Sequence, residues 1–227
     1  RYRIEFRMHS PTESTMDQAT LMDRLKAETA EAHAQTEAIP FNAGIMAKTM
    51  PQARYAGQLA CWKRVHEVLE TALNASSNTA VMSAWTGTTE RAPLLAADLE
   101  WHVDADVPAE AADATADMVQ WVESIGASDP ISLLGILYVL EGSTLGGMIL
   151  SKCIAEMYGC DAEHGLAYYS AHGNQVMPNW MEFKARMNMS VPSIEDQDRV
   201  IRAASETFHQ LGLILIGLSK GLPGVVE

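Results

Sequence analysis

The sequence predicts an all-α domain, and three observations carry that prediction. Alanine, leucine, methionine and glutamate dominate, while β-branched runs are short and strand signals sparse. Apolar residues recur at three- and four-residue steps over long stretches, the period of a helix with one buried face. Helix start and stop signals bracket those stretches, among them an Asp-Pro pair, a Ser-x-x-Asp box and isolated glycines. With 48% hydrophobic residues in 227, there is enough apolar material for one substantial core. There is no internal repeat, low-complexity tract or linker, so a single domain over residues 17–221 is the economical reading. Residues 1–16 read as a disordered tail or an expression leftover, since Arg1–Ser10 mixes arginine, tyrosine and histidine without an apolar centre.

Taken in order, a first helix is expected from Asp17 to Glu37, with Leu21, Leu25, Thr29 and His33 forming one stripe. Pro40 ends it, and Phe41–Met46 reads as a turn. A second helix begins at Pro51 and turns Tyr55, Leu59, Trp62, Val65, His66, Leu69 and Leu73 inward, closing at Ala75–Asn78. Val81–Trp85, Ala92–His102 and Ala111–Ile125 read as shorter helices with exposed acidic faces. Asp129-Pro130 then supplies an N-cap and a proline in the first turn, opening a long apolar helix that stops at Gly159. His164–Pro178 is partly irregular, and Asn179–Met187 is a short helix. Ser193-Ile194-Glu195-Asp196 resembles a capping box opening the last helix, which ends at Lys220-Gly221.

Bulk chemistry narrows the function. A formal net charge of −13 argues against a general nucleic-acid binder, which needs a basic surface to displace counterions. Cys61, Cys153 and Cys160 are odd in number and form no CxxC pair, so a disulfide scaffold or structural zinc is not expected and a reducing cytoplasm fits. The longest apolar runs, Ile131–Leu140 and Leu211–Leu218, fall well short of the ~20 residues of a membrane span and read as core helix, with no membrane partner.

Two features remain. Gly142-Ser143-Thr144-Leu145-Gly146-Gly147 interrupts the long apolar helix, although each glycine costs about 1 kcal/mol there against alanine. Its spacing bares the backbone on nearly one side, so a large flat ligand could approach the main chain and the helix could kink; helix-on-helix packing through small residues is the other reading. Far upstream, His33 lies on an apolar stripe with Glu37 one turn on. Such a carboxylate, directly or through water, accepts the Nδ1 proton and leaves Nε2 free for a metal. An ordinary local hydrogen bond is the alternative. No HExxH and no His/Cys/Asp quartet accompanies the pair, so a cofactor needing one protein ligand, haem with a proximal histidine, fits best.

These residues resemble a haem oxygenase. Leu25-Lys26-Ala27-Glu28-Thr29-Ala30-Glu31-Ala32-His33 with Glu37 is similar to that family's proximal helix, and Gly142–Gly147 to its distal motif, usually Gly-Asp-x-Ser-Gly-Gly. Arg186-Met187-Asn188, Arg199-Val200-Ile201, Ala204 and Phe208 match its C-terminal region, so the resemblance runs from about Leu21 to Leu218. Tyr168–Trp180 is closest to the bacterial, biliverdin-producing branch. The resemblance implies a single-domain bundle with haem sandwiched between a proximal and a kinked distal helix. It implies His33 as axial ligand with Glu37 behind it, Gly142, Ser143, Gly146 and Gly147 as the catalytic distal segment, and Lys26, Thr29, Lys184 and Phe208 as haem contacts. The two lysines would meet the propionates. His66 falls where the family often has a distal-side tyrosine, and Ser143 stands in place of the usual aspartate. The implied reaction is oxidation of haem, at once substrate and prosthetic group, by O2 and electrons to biliverdin, carbon monoxide and iron. No dinucleotide fingerprint or flavin motif is present, so the electrons come from a docked donor such as a ferredoxin or flavin reductase. A haem carrier or sensor that has lost ring opening is the alternative, favoured by Ser143. A thiamin-degrading helical enzyme would need a nucleophilic cysteine beside carboxylates, a setting that the three cysteines lack.

Overall fold

The computed structural model describes residues 19–87 and 90–222, and within them the chain is a bundle of eleven α-helices. These are α1 Leu21–Glu28, α2 Ala30–Glu37, α3 Pro40–Met46, α4 Gln52–Ala75, α5 Thr79–Ala84, α6 Ala92–Trp101, α7 Ala109–Ser128, α8 Leu133–Tyr158, α9 Ala167–Ser170, α10 Val176–Ser190 and α11 Ile194–Ser219. Among the described residues there is no strand, only isolated bridges at Asp161–Gly165. The expected tail and Asp17 lie outside the described residues.

Caps set the boundaries. Thr20 accepts from the Asp23 amide at α1, Asn78 from Ala80 and Val81 at α5, and Ser193 from Asp196 at α11. Gly159 ends α8 in the left-handed conformation, and Gly221 follows α11 likewise. Three sequence expectations are corrected here. Pro40 starts α3 at its first position instead of leading into a turn, because its missing N–H costs nothing there. The helix through His33 is two helices, divided at Thr29, whose φ of −104° and ψ of 4° depart from helical values. The Thr29 side chain turns back onto the Leu25 carbonyl at 2.7 Å, competing with the backbone for that acceptor. Asp129 caps no amide; it accepts from the Ser132 hydroxyl at 2.6 Å, and a short 3-10 turn over Pro130–Ser132 precedes α8.

The core gathers around α8 and α11. They approach so closely that a Cβ on Gly135 would lie 2.2 Å from the Val200 carbonyl oxygen. α7 packs along α11, and α4 against α7 and α6, with Tyr55, Leu59, Val65 and Leu69 fully buried as their spacing predicts. The stretch Pro130–Tyr158 is, taken as a whole, long and apolar enough to span a membrane, because glycine, serine and threonine barely lower its hydropathy between the short apolar runs. Half of its most apolar window is packed inside the bundle.

Candidate functional site

Two walls face each other across one side of the bundle. The first is α1–α2–α3. On it Leu21, Leu25 and Thr29 are buried, but the stripe surfaces at His33, whose side chain is 55% exposed. The second wall is α8. The Tyr138 phenol lies beside the Thr29 side chain, bringing the walls together at one end. At the other end Lys48 pairs with Glu156, and the Tyr158 hydroxyl donates to the Met50 carbonyl at 2.7 Å. Between those junctions, three- and four-residue steps carry one face of α8 from Tyr138 through Gly142, Gly146 and Ile149 to Cys153. A Cβ on Gly146 would meet nothing within 4 Å, and Ile149 is 59% exposed. A bare apolar face thus lies on α8 between the two junctions that join it to the first wall.

His33 sits edge-on to Phe208 of α11, centroids 5.5 Å apart, and its Nε2 lies 3.4 Å from Glu37 Oε1. The sequence reading had the carboxylate on Nδ1. The partly exposed ring instead turns its outer nitrogen to the nearest acceptor, one helical turn on. Phe208 is buried beneath the ring, and its carbonyl accepts from the Thr36 hydroxyl at 3.4 Å, fastening α2 to α11.

The glycine segment divides its labour. Gly146 is open; Gly142 would bring a Cβ to 3.6 Å from Trp180 of α10, an ordinary contact. Gly147 is buried on the far side, where a Cβ would stand 3.3 Å from the Tyr169 ring, so it serves packing and offers no backbone to the cleft. Hydrogen bonding makes α8 a single helix from Leu133 to Tyr158. Within it the Ser143 hydroxyl donates to Leu140 O at 2.6 Å and Thr144 to Glu141 O at 2.7 Å, back-bonds of the kind that bend helices.

Lys26 and Lys184 both lie near Asp23 of α1. Both lie close enough to Asp23 to help hold its carboxyl below the ordinary range, after the larger effect of the Thr20 hydroxyl. Met22 N donates to Asn188 Oδ1 at 3.0 Å, which seats α10 and its lysine beside α1.

Behind the glycine face lies a buried polar cluster that sequence reasoning did not assemble. His66 Nε2 is 3.3 Å from the Tyr168 hydroxyl, and its Nδ1 is 3.3 Å from Glu70 Oε1. Glu70 accepts from the Arg91 and Ala92 amides at 2.6 and 3.2 Å. The Arg91 guanidinium donates to His172 Nε2 at 2.6 Å and lies 3.5 Å from Glu141 Oε2. Burial pushes the Tyr168 phenol well above its ordinary pKa, partly offset by Arg91 and by a hydrogen bond with the Ser143 side chain. Asp98 pins this corner by accepting from the Ala167 and Tyr168 amides at 2.7 and 2.9 Å. Only the i, i+4 spacing of His66 and Glu70 could have signalled the cluster in advance.

Among the described residues no group of three His, Cys, Asp or Glu side chains converges to hold a bare ion. A single imidazole opposite exposed backbone suits a flat cofactor that brings its own equatorial ligands.

Comparison with known proteins agrees with this architecture. The family model for heme oxygenase matches residues 19–214. Heme oxygenase from Leptospira interrogans superposes with a TM-score of 0.78 at 20% identity, covering 87% of this chain and 99% of that one. Heme oxygenase-2 from Synechocystis, solved with heme and NO, gives 0.81 at 18% identity over 88% and 86% of the two chains. Heme oxygenase 2 from Chlamydomonas reinhardtii gives 0.79 at 21% identity over 91% and 100%. No curated protein sequence matches the chain. With the surfaced His33, the glycine face of α8 and a family match spanning nearly all of the described helices, the chain belongs to the haem oxygenase family.

Proposed function

We propose that this protein cleaves haem to biliverdin, carbon monoxide and ferrous iron, using O2 and electrons from an external donor such as a ferredoxin or flavin reductase. What supports the reading is one surfaced imidazole, His33, together with an open glycine, Gly146, on the stretch of α8 that lies between two junctions with the α1–α3 wall. When bound, haem supplies both the redox-active iron and the macrocycle to be oxidised.

The chain's own residues supply the rest. His33 would hold the iron through Nε2, with Glu37 one turn on as the acceptor for Nδ1–H once the ring is turned. A neutral imidazole pushes less electron density than a thiolate would. Phe208 backs the ring and limits its tilt. Gly146 lets the macrocycle lie close to the main chain of α8, with Gly142 and Ser143 beside it. Thr29 holds the walls together through Tyr138 at the edge where Lys26 and Lys184 would take the propionates. A haem carrier is the second reading, favoured by Ser143: its hydroxyl proton is committed to the Leu140 carbonyl, and no carboxylate stands at this position.

One titration separates the readings. Hemin added to the pure protein should give a saturable Soret band of histidine type, and ascorbate under air should then erase it as bilin absorbance grows. A stable Soret band favours the carrier. Absence of a saturable band overturns both.

A further inference from the structure

We propose that Trp180 is the steric stop that fixes how haem seats over α8, and so decides which edge of the macrocycle is cleaved. The proposal rests on the haem reading above and names the residue that makes that reaction selective.

One histidine ligand leaves a porphyrin able to turn about the iron–nitrogen axis, so the bond to His33 cannot by itself choose among the bridging carbons. Something off that axis must. Lys26 and Lys184 offer charge for the propionates, but Lys26 is exposed, Lys184 is half-buried, and both already lie near the Asp23 carboxylate. Pairs of that kind bias an equilibrium by about fivefold at most. Holding the wrong isomers to about one part in a hundred takes roughly 2.8 kcal/mol, at 1.4 per tenfold. Shape must supply the rest.

The helix α10 supplies it. A Cβ placed on Gly142 would lie 3.6 Å from Trp180 Cη2 and 3.9 Å from Cζ3, so the outer edge of the indole covers the first bare backbone of the glycine segment. Two other rings hold the indole: the Tyr138 centroid is 6.1 Å away at 41°, and the Phe183 centroid 5.6 Å away at 36°. Phe183 is buried and Tyr138 half-buried beside Thr29, so the indole cannot retreat without repacking both. Four residues along α8, a Cβ on Gly146 would meet nothing within 4 Å. The bare backbone is therefore lopsided, covered at Gly142 and free at Gly146. Lys184 stands four residues after Trp180, where side chains share a helix face. Stop and anchor thus ride on one rigid helix, seated on α1 by the Met22 amide, which donates to Asn188 Oδ1 at 3.0 Å. One orientation of the macrocycle satisfies both contacts, and the turned ones satisfy at most one. Trp180 is a positioning residue in this scheme, distinct from the iron ligand.

Product analysis and magnetic resonance test it together. The unmodified protein, given hemin, ascorbate and air, should release one predominant bilin isomer, resolved by chromatography. Trp180→Ala should raise the minor isomers about tenfold or more, and Trp180→Phe should restore the single product. Lys184→Ala should move the ratio by about fivefold at most. Before any turnover, proton NMR of the cyanide-bound hemin complexes should show haem methyl resonances in Trp180→Ala that the unmodified protein and Trp180→Phe lack. An isomer ratio that does not move in Trp180→Ala overturns the proposal, as do comparable isomers from the unmodified protein. If Trp180→Ala does not fold, Trp180→Leu takes its place. Hemin that binds without being cleaved leaves the methyl resonances to decide, and an unchanged pattern then overturns the proposal. Hemin that does not bind the unmodified protein overturns the haem reading and this proposal with it, whereas normal cleavage with an indifferent Trp180 overturns this proposal alone.

Discussion

His33 owes its chemistry to three neighbours at different distances along the chain. Glu37 is four residues on, Phe208 lies across the bundle, and Thr29 marks the place where the helix breaks before it. The first of these was legible in the sequence, because i, i+4 partners share a helix face. Which ring nitrogen meets the carboxylate was not, since that depends on exposure. The cluster behind α8 was still less legible: His66 to Tyr168 spans 102 residues and Arg91 to His172 spans 81, and no periodicity relates such pairs. His33→Ala should abolish the histidine-type spectrum and turnover while hemin still partitions into the apolar cleft. Added imidazole should restore part of the rate, read as bilin formed per minute. Retention of full activity by this variant would remove His33 from the reaction.

At the level of helices, two glycines in α8 should respond in opposite ways. Gly135 lets α11 approach within backbone distance, so Gly135→Ala forces the helices apart and should cost about 1–3 kcal/mol, read as a lower denaturation midpoint. Gly146 faces open space, so Gly146→Leu should melt near the unmodified protein yet block hemin titration and turnover by filling the cleft. If Gly146→Leu destabilises as strongly as Gly135→Ala, the open-face assignment falls. The sequence singled out Gly146 within its motif and left Gly135 unremarked, because the distinction lies in what crosses each one. Long periodic helices such as α4 and α11 were readable almost to their ends. Pro40 and Thr29 were misjudged, since proline suits a first helical turn as well as a stop and threonine bends a chain through its own hydroxyl.

Across the whole molecule, His102 knots three separate segments. Its Nε2 meets Gly165 O at 2.8 Å and its Nδ1 lies 3.2 Å from Gln52 Nε2, at the far end of α6. Burial holds its pKa below the ordinary value, against smaller opposing effects of the Gly165 carbonyl and Asp98. The unfolded chain therefore binds the proton first as pH falls, and stability should be present above about pH 6.5 and decline below it. Melting temperatures taken at pH 7.5 and 5.5, as round values about one unit either side, should differ by less in His102→Gln than in the unmodified protein. An unchanged difference would exclude His102 as the sensor. The all-α class and single core could be read from composition and period, whereas the way loops return to close the bundle could not, since Gly165 and Gln52 carry no mark of their common partner. One last feature governs motion. The segment Ala30–Glu37 has no fully buried side chain and is interrupted from its predecessor at Thr29, so it is retained mainly by half-buried Ala32, by Thr36 and its Asn42 partner, and by the edge of Phe208. Its amides should exchange with deuterium before those of Leu21–Glu28, and any flat guest that seizes its imidazole would become the rivet that stops them.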